Sequence, residues 1–185
     1  MKKNTSLFIV AAICCFSCSR PEPQTEDILL SDGWLIQAES KVDQEWYKAS
    51  VPCTVMGALT SENGLYNDLF VGKNYADIDK EQFEEPWFYK TTFETPALKE
   101  GQRVELAFDG ISYRADIWLN GQQIASSEEH FGPFRQFSYD VTDVIAERNE
   151  LTVKVYRWQK GEFNIGFVDW NPRPADESMG IFRPV

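Results

Sequence analysis

From Gly33 onward the apolar residues return at every second position far more often than at helical spacing. A period of two places alternate side chains on opposite faces of an extended strand. Val104, Leu106 and Phe108 share a face in residues 103–109, Ala115, Ile117 and Leu119 in 113–119, and Leu151, Val153 and Val155 in 150–156. Residues 86–93 are rich in aromatic and β-branched side chains, as suits a half-buried strand. Asn120-Gly121 stands between two such runs, and since both residues tolerate positive φ the pair predicts a type I′ hairpin turn. No window supports a long amphipathic helix. Residues 51–59, opening on Val51-Pro52 and followed by Asn63-Gly64, predict a loop with at most one helical turn, and Asp140-Val141-Thr142 predicts a short capped turn. Many short strands separated by turn signals specify an all-β fold, a sandwich or jelly roll.

The amino-terminal segment carries a different pattern. Met1-Lys2-Lys3 and an apolar run over residues 7–16 predict a secretory leader, because a run so short does not span a bilayer as a helix. Ser17-Cys18 has the small residue before cysteine that a lipoprotein junction requires. The expectation is a leader over residues 1–17, lipid attachment at Cys18, a polar and proline-punctuated tether over 18–31, and one domain over 32–185. Such a chain is exported and lipid-anchored in the periplasm or cell envelope, with the outer membrane as the expected bilayer. An ordinary leader with incidental cysteines is the alternative. With Cys18 acylated, Cys53 has no cysteine left to pair with, so no disulfide framework is expected.

The formal charge is −11, and losing Lys2 and Lys3 with the leader makes it two units more negative. No basic stripe exists to release counterions from phosphates, which argues against a nucleic-acid partner. His130 is the single histidine, so a zinc site lacks its usual ligands and a Ser-His-Asp triad would have to use it. Neither a metal nor a cofactor is expected, and a structural role for His130 is favoured. Glu84-Glu85, Glu128-Glu129 and Asp176-Glu177 are adjacent carboxylates. Neighbours on a strand point to opposite faces, so these read as solvated surface rather than as an acid/base pair.

The order of Pro86-Trp87-Phe88-Tyr89-Lys90, Phe108-Asp109-Gly110-Ile111 and Ala115-Asp116-Ile117-Trp118-Leu119-Asn120-Gly121 resembles the amino-terminal domain of family 2 glycoside hydrolases. His130-Phe131-Gly132-Pro133-Phe134, Tyr139-Asp140-Val141-Thr142 and residues 149–155 continue the likeness. The closing Asp169-Trp170-Asn171-Pro172-Arg173-Pro174 and residues 179–185 are most similar to the branch of exo-β-glucosaminidases and β-mannosidases. The resemblance implies a galactose-binding-domain-like jelly-roll β-sandwich, followed in the family by an immunoglobulin-like sandwich and a (β/α)₈ barrel. Both catalytic glutamates belong to that barrel, so no catalytic residue is expected in this chain, which ends before it.

The same resemblance implies that an Asp-Trp pair at Asp169 and Trp170 contacts the terminal sugar. The chemistry suits the role: a carboxylate accepts from two vicinal hydroxyls, and an aromatic face packs on the C–H face of a pyranose. The competing reading has Asp169 accepting from its own turn and Trp170 capping the core. Asn171 and Arg173 are further candidates, although Asn-Pro also suits a plain turn. The expected function is a non-catalytic carbohydrate-binding domain of a family 2 exo-β-glycosidase, with a glycan or glycoside, the remaining domains and, through lipid, a membrane as partners. A free-standing carbohydrate-binding module tethered to the envelope is the alternative.

Overall fold

The computed structural model describes residues 25–164 and 166–185. The leader, the lipid-attachment site at Cys18 and the first part of the tether lie outside the described residues. In chain order the strands are β1 (Trp34–Ala38), β2 (Tyr47–Ala49), β3 (Cys53–Thr54), β4 (Trp87–Glu94), β5 (Glu105–Phe108), β6 (Arg114–Leu119), β7 (Gln122–Ala125), β8 (Phe137–Asp140), β9 (Arg148–Tyr156) and β10 (Gly180–Ile181). One α-helix, α1 (Val55–Ser61), follows β3. Six strands form an antiparallel sheet in the order β2-β1-β4-β9-β6-β7, and β5-β8 and β3-β10 form two short antiparallel ladders.

The period-two pattern becomes rows of buried side chains across the large sheet. Ile36 stands opposite Tyr89, Tyr89 opposite Val153, and Val153 opposite Ile117, all of them fully buried. The neighbouring row runs Ala38, Trp87, Val155, Ala115. Ala38 and Val155 thereby flank the large indole, small and medium side chains beside a large one, as close packing demands. Leu106 and Phe108 of β5, Ile111, Met179 and Ile181 cover these rows from the other side as one continuous cluster. The architecture is an all-β sandwich, as the alternation required.

The hairpin between β6 and β7 has φ of 53° at Asn120 and 81° at Gly121, the left-handed pair a type I′ turn needs. Asn120 does more than turn. Its Nδ2 donates to Val144 O and to Asn149 Oδ1, each at 2.9 Å, and its Oδ1 accepts from Glu150 N–H at 2.9 Å, which ties the hairpin to the start of β9. At the predicted capped turn Asp140 Oδ1 accepts from Thr142 N–H at 3.1 Å.

The segment expected to hold at most one helical turn contains more. α1 has seven residues, with Val55, Met56, Ala58 and Leu59 buried at helical spacing. Its first free N–H groups are satisfied by Thr54 next to it and by residues more than 100 positions later in the chain. Thr54 Oγ1 accepts from Gly57 N–H at 3.1 Å, Asp176 Oδ2 from Met56 N–H at 2.8 Å, and Met179 O from Val55 N–H at 2.9 Å. β10 and the residues after it are likewise tied down: Ile181 pairs with Cys53, Pro184 O accepts from Asp109 N–H and Val185 O from Leu30 N–H. Leu30 and Ser31, within the stretch read as tether, are thus bonded into the domain, with Ser31 O accepting from Val51 N–H at 2.7 Å.

Candidate functional site

β9 is flanked by β4 and β6 in the large sheet, and the chain leaves its end at Tyr156 into the irregular segment that returns at β10. That departure is fixed from the adjacent strand. Arg114, opposite Tyr156 at the start of β6, forms an ion pair with Glu162, whose Oε1 accepts from Arg114 Nε at 2.7 Å. Glu162 Oε2 accepts from Gln159 N–H at 2.6 Å, so one carboxylate pins the first bend of the loop.

Farther along, Asn171 N–H donates to Val168 O at 3.4 Å, which makes Asp169 and Trp170 the two corner residues of a turn. Trp170 is 81% exposed and Asp169 is exposed as well. Among the described residues the Asp169 carboxylate accepts no hydrogen bond. Trp170 therefore does not cap the core, and Asp169 is not spent on its own turn. Asp169, Asn171 and Arg173 line one open cleft of about 590 Å³ together with Trp158, Glu162 and Phe167.

Arg173 is placed differently from the other candidates. Its Nη2 donates to Glu177 Oε2 at 2.7 Å, and its guanidinium carbon lies 5.1 Å from the Phe167 ring centre and 5.8 Å from that of Trp158. Trp158 Nε1 donates to the same Glu177 oxygen at 3.3 Å. The Arg173 carbonyl accepts from the Tyr75 hydroxyl, and Tyr75 stacks on the exposed Phe70 with ring centres 6.0 Å apart. Burial, then the Asp176 and Glu177 carboxylates, push the Tyr75 hydroxyl pKa up, so it remains a donor at neutral pH.

Of the adjacent carboxylates, Glu84 pairs with Arg157, Glu85 accepts from Ser40 N–H at 2.7 Å, and Glu129 accepts from Ser126 Oγ at 3.1 Å. Asp176 corrects the solvated-surface reading. It is 1% exposed, and its two oxygens accept from Met56 N–H and from Ser178 N–H at 2.9 Å. Burial pushes its pKa up while those bonds oppose the rise. His130 is also 1% exposed, stacked on Phe137 at 4.1 Å between ring centres with Nδ1 2.8 Å from the Tyr139 hydroxyl. Burial first and Arg135 second lower its pKa to about 4. Burial likewise pushes the Cys53 thiol up to about 12, which leaves it a poor nucleophile. Among the described residues no group of three or more His, Cys, Asp or Glu side chains is arranged to hold a metal ion.

Trp158, Phe167, Glu162 and Tyr75 are the site residues that sequence reasoning missed. Glu177 was noticed only as one of two adjacent carboxylates, and its pairing with Arg173 needed the fold.

Residues 34–162 match the family model described as glycosyl hydrolase 2 galactose-binding domain-like. The chain is 38% identical over 144 residues to an exo-β-D-glucosaminidase of Hypocrea jecorina, covering 76% of this chain and 16% of that protein. It is 35% identical over 127 residues to β-mannosidase B of Thermothelomyces thermophilus, covering 68% of this chain and 14% of that one. The complex of the Amycolatopsis orientalis exo-chitosanase with PNP-β-D-glucosamine superposes with a TM-score of 0.76 at 28% identity, over 85% of this chain and 20% of the other. The chain thus spans less than a fifth of the length of these two curated relatives. On this match and these identities the chain belongs to the glycosyl hydrolase 2 galactose-binding domain-like family, the amino-terminal domain type of family 2 exo-glycosidases of the glucosaminidase and mannosidase branch.

Proposed function

We propose that this domain supplies one wall of the terminal-sugar site of a family 2 exo-β-glycosidase acting on β-glucosaminides or β-mannosides, and cleaves no bond itself. The observation that carries the reading is the turn at Val168–Asn171, which carries an unengaged carboxylate lining the open cleft at Asp169 and an indole 81% exposed at the next residue. The Asp169 oxygens accept from two neighbouring hydroxyls of the sugar. The Trp170 face covers the C–H face of the ring and keeps water from it. Together they hold the pyranose in one orientation, so that a carboxyl pair about 5–5.5 Å apart, contributed by another domain in the family, meets the anomeric carbon in the geometry retention requires.

The names of the relatives support the sugar class: an exo-β-D-glucosaminidase, a β-mannosidase and an exo-chitosanase bound to a glucosamine derivative. The test is Asp169→Ala and Trp170→Ala in a complete family 2 enzyme carrying this domain. A hydrogen bond to a charged group is worth about 1.5–3 kcal/mol, so kcat/KM on the aryl β-glucosaminide or β-mannoside should fall roughly ten- to hundredfold, with melting unchanged. An unchanged kcat/KM in both variants overturns the proposal. Tight glycan binding by the domain without any partner would instead favour a free-standing module.

A further inference from the structure

We infer that Arg173 is a positioning residue: its guanidinium, clamped between Phe167 and Trp158 and paired with Glu177, is a strut that holds the Asp169–Trp170 turn in its presenting geometry, and it is not a ligand of the sugar. This rests on the proposed function above, which gives the turn something to present. The turn does not hold itself. Its own hydrogen bond, Asn171 N–H to Val168 O, is 3.4 Å long, beyond the ordinary 2.7–3.2 Å range. Support has to come from the two legs on either side of it.

Phe167 immediately precedes the turn and Arg173 follows it by two residues, so a contact between them closes the neck of the loop. Pro172 and Pro174 flank Arg173 and fix the backbone on both sides of it. The backbone is held from outside as well, because the Arg173 carbonyl accepts from the Tyr75 hydroxyl. The guanidinium is then oriented by three contacts: Glu177 Oε2 at 2.7 Å, Phe167 at 5.1 Å and Trp158 at 5.8 Å. Trp158 is two residues beyond the end of β9, and Glu177 directly follows Asp176, which is bonded to α1. The strut therefore connects the turn to the central sheet on one side and to the helix on the other.

A planar cation stacked against aromatic rings while donating to a carboxylate is a geometry that arginine makes and lysine does not reproduce. The positive charge is matched by Glu177 and the guanidinium plane is held against two rings, so its orientation is set by the protein. Asp169 has no such commitments among the described residues, and Trp170 faces solvent.

The test uses the whole chain and two independent readouts. ¹⁵N relaxation of residues 168–171 reads the turn, and titration with methyl β-D-glucosaminide and methyl β-D-mannoside, followed through the Asp169 amide and the Trp170 indole, reads the sugar. In the wild type the turn amides should be ordered, with order parameters near ~0.85, falling below ~0.6 in Arg173→Ala. Arg173→Lys should behave like the alanine variant, and Glu177→Gln should lie between. The apparent sugar Kd should rise roughly tenfold, as expected when only about a tenth of the molecules hold the competent geometry. Melting should stay within a few degrees, since the Arg173 side chain is 54% exposed.

Order parameters unchanged in Arg173→Ala overturn the strut. So does a sugar-induced shift of the Arg173 Nε resonance with binding lost in an ordered turn, which would make the residue a ligand. The function proposed above is decided separately, by kcat/KM of Asp169→Ala and Trp170→Ala in the complete enzyme, while the relaxation readout decides the strut.

Discussion

Acidification from about pH 7 to about pH 4.5 should weaken this fold through one side chain, His130. Its ring is 1% exposed, packed flat on Phe137 and edge-on to Phe108, with Nδ1 bonded to Tyr139 and Nε2 buried without a partner. Burial disfavours the charged ring and the Arg135 guanidinium adds to the penalty, which is why the pKa falls from 6.5 to about 4. The unfolded chain takes up that proton near pH 6.5 and the folded chain does not until about pH 4. Between those values the unfolded state binds more protons, so stability drops as pH falls and levels off once the folded ring is also protonated. Each pH unit is worth about 1.4 kcal/mol, which makes the full loss about 3 kcal/mol.

His130→Phe keeps a flat ring in the stack and removes the titration. Unfolding free energies from urea melts at several pH values should show the wild type losing about 3 kcal/mol more than the variant across that window. Asp176 acts in the opposite sense. Its raised pKa means the folded state keeps a proton that the unfolded state releases, so it stabilises at low pH and that contribution disappears as pH rises through its folded value. Both forms carry Asp176, so the difference between them isolates the histidine. Parallel pH profiles for wild type and His130→Phe would refute the reasoning.

Gly180 has φ of 148°, and a Cβ there would stand 2.5 Å from the Tyr89 hydroxyl and 2.7 Å from Cys53 O; Gly180→Ala should cost about 3 kcal/mol or more and lower Tm by several degrees in a calorimeter, and a wild-type Tm would contradict that packing. Trp170→Ala should cost under about 1 kcal/mol because the indole is already in water, whereas Trp87→Ala, at 2% exposed, should cost about 3–5 kcal/mol; equal costs in parallel melts would return Trp170 to the core. Cys18→Ala should move the expressed protein from the membrane fraction to the soluble one, and equal partitioning would dismiss acylation. The isolated chain should release no chromophore from aryl β-glucosaminides, β-mannosides or β-galactosides above background, and turnover that survives repurification and vanishes in a point variant would place catalytic groups within it.

The sheet was legible from sequence because its cause is local. Side chains alternate along a strand, and Tyr89, Val153 and Ile117 announce their common face before their register is known. Asn120-Gly121 was legible for the same reason, as two residues whose own backbone preferences make a turn. α1 was underestimated because what satisfies its first N–H groups includes the carboxylate of Asp176, 120 residues away. That same distance hid Asp176 itself, which reads as a surface acid until the helix end it serves is beside it. Arg173 is known from sequence only as a charge near a candidate site, and the rings and carboxylate around its guanidinium appear only in the fold.

What the architecture does for the loop follows from where its ends are fastened. The chain leaves β9 inside the six-stranded sheet, where Arg114 of the adjacent strand grips Glu162, and it returns through Asp176 and Met179, both bonded to the start of α1. Between these anchors the tip carries an indole exposed to solvent. Rigid ends and an exposed, apolar tip are the requirements for a group that must meet a ligand held partly by something else: the tip cannot bury itself, and the ends cannot let it wander. On the function proposed above, a loop fastened this way contributes orientation, which is what a wall of a sugar site would supply to bond cleavage by carboxylates on another domain.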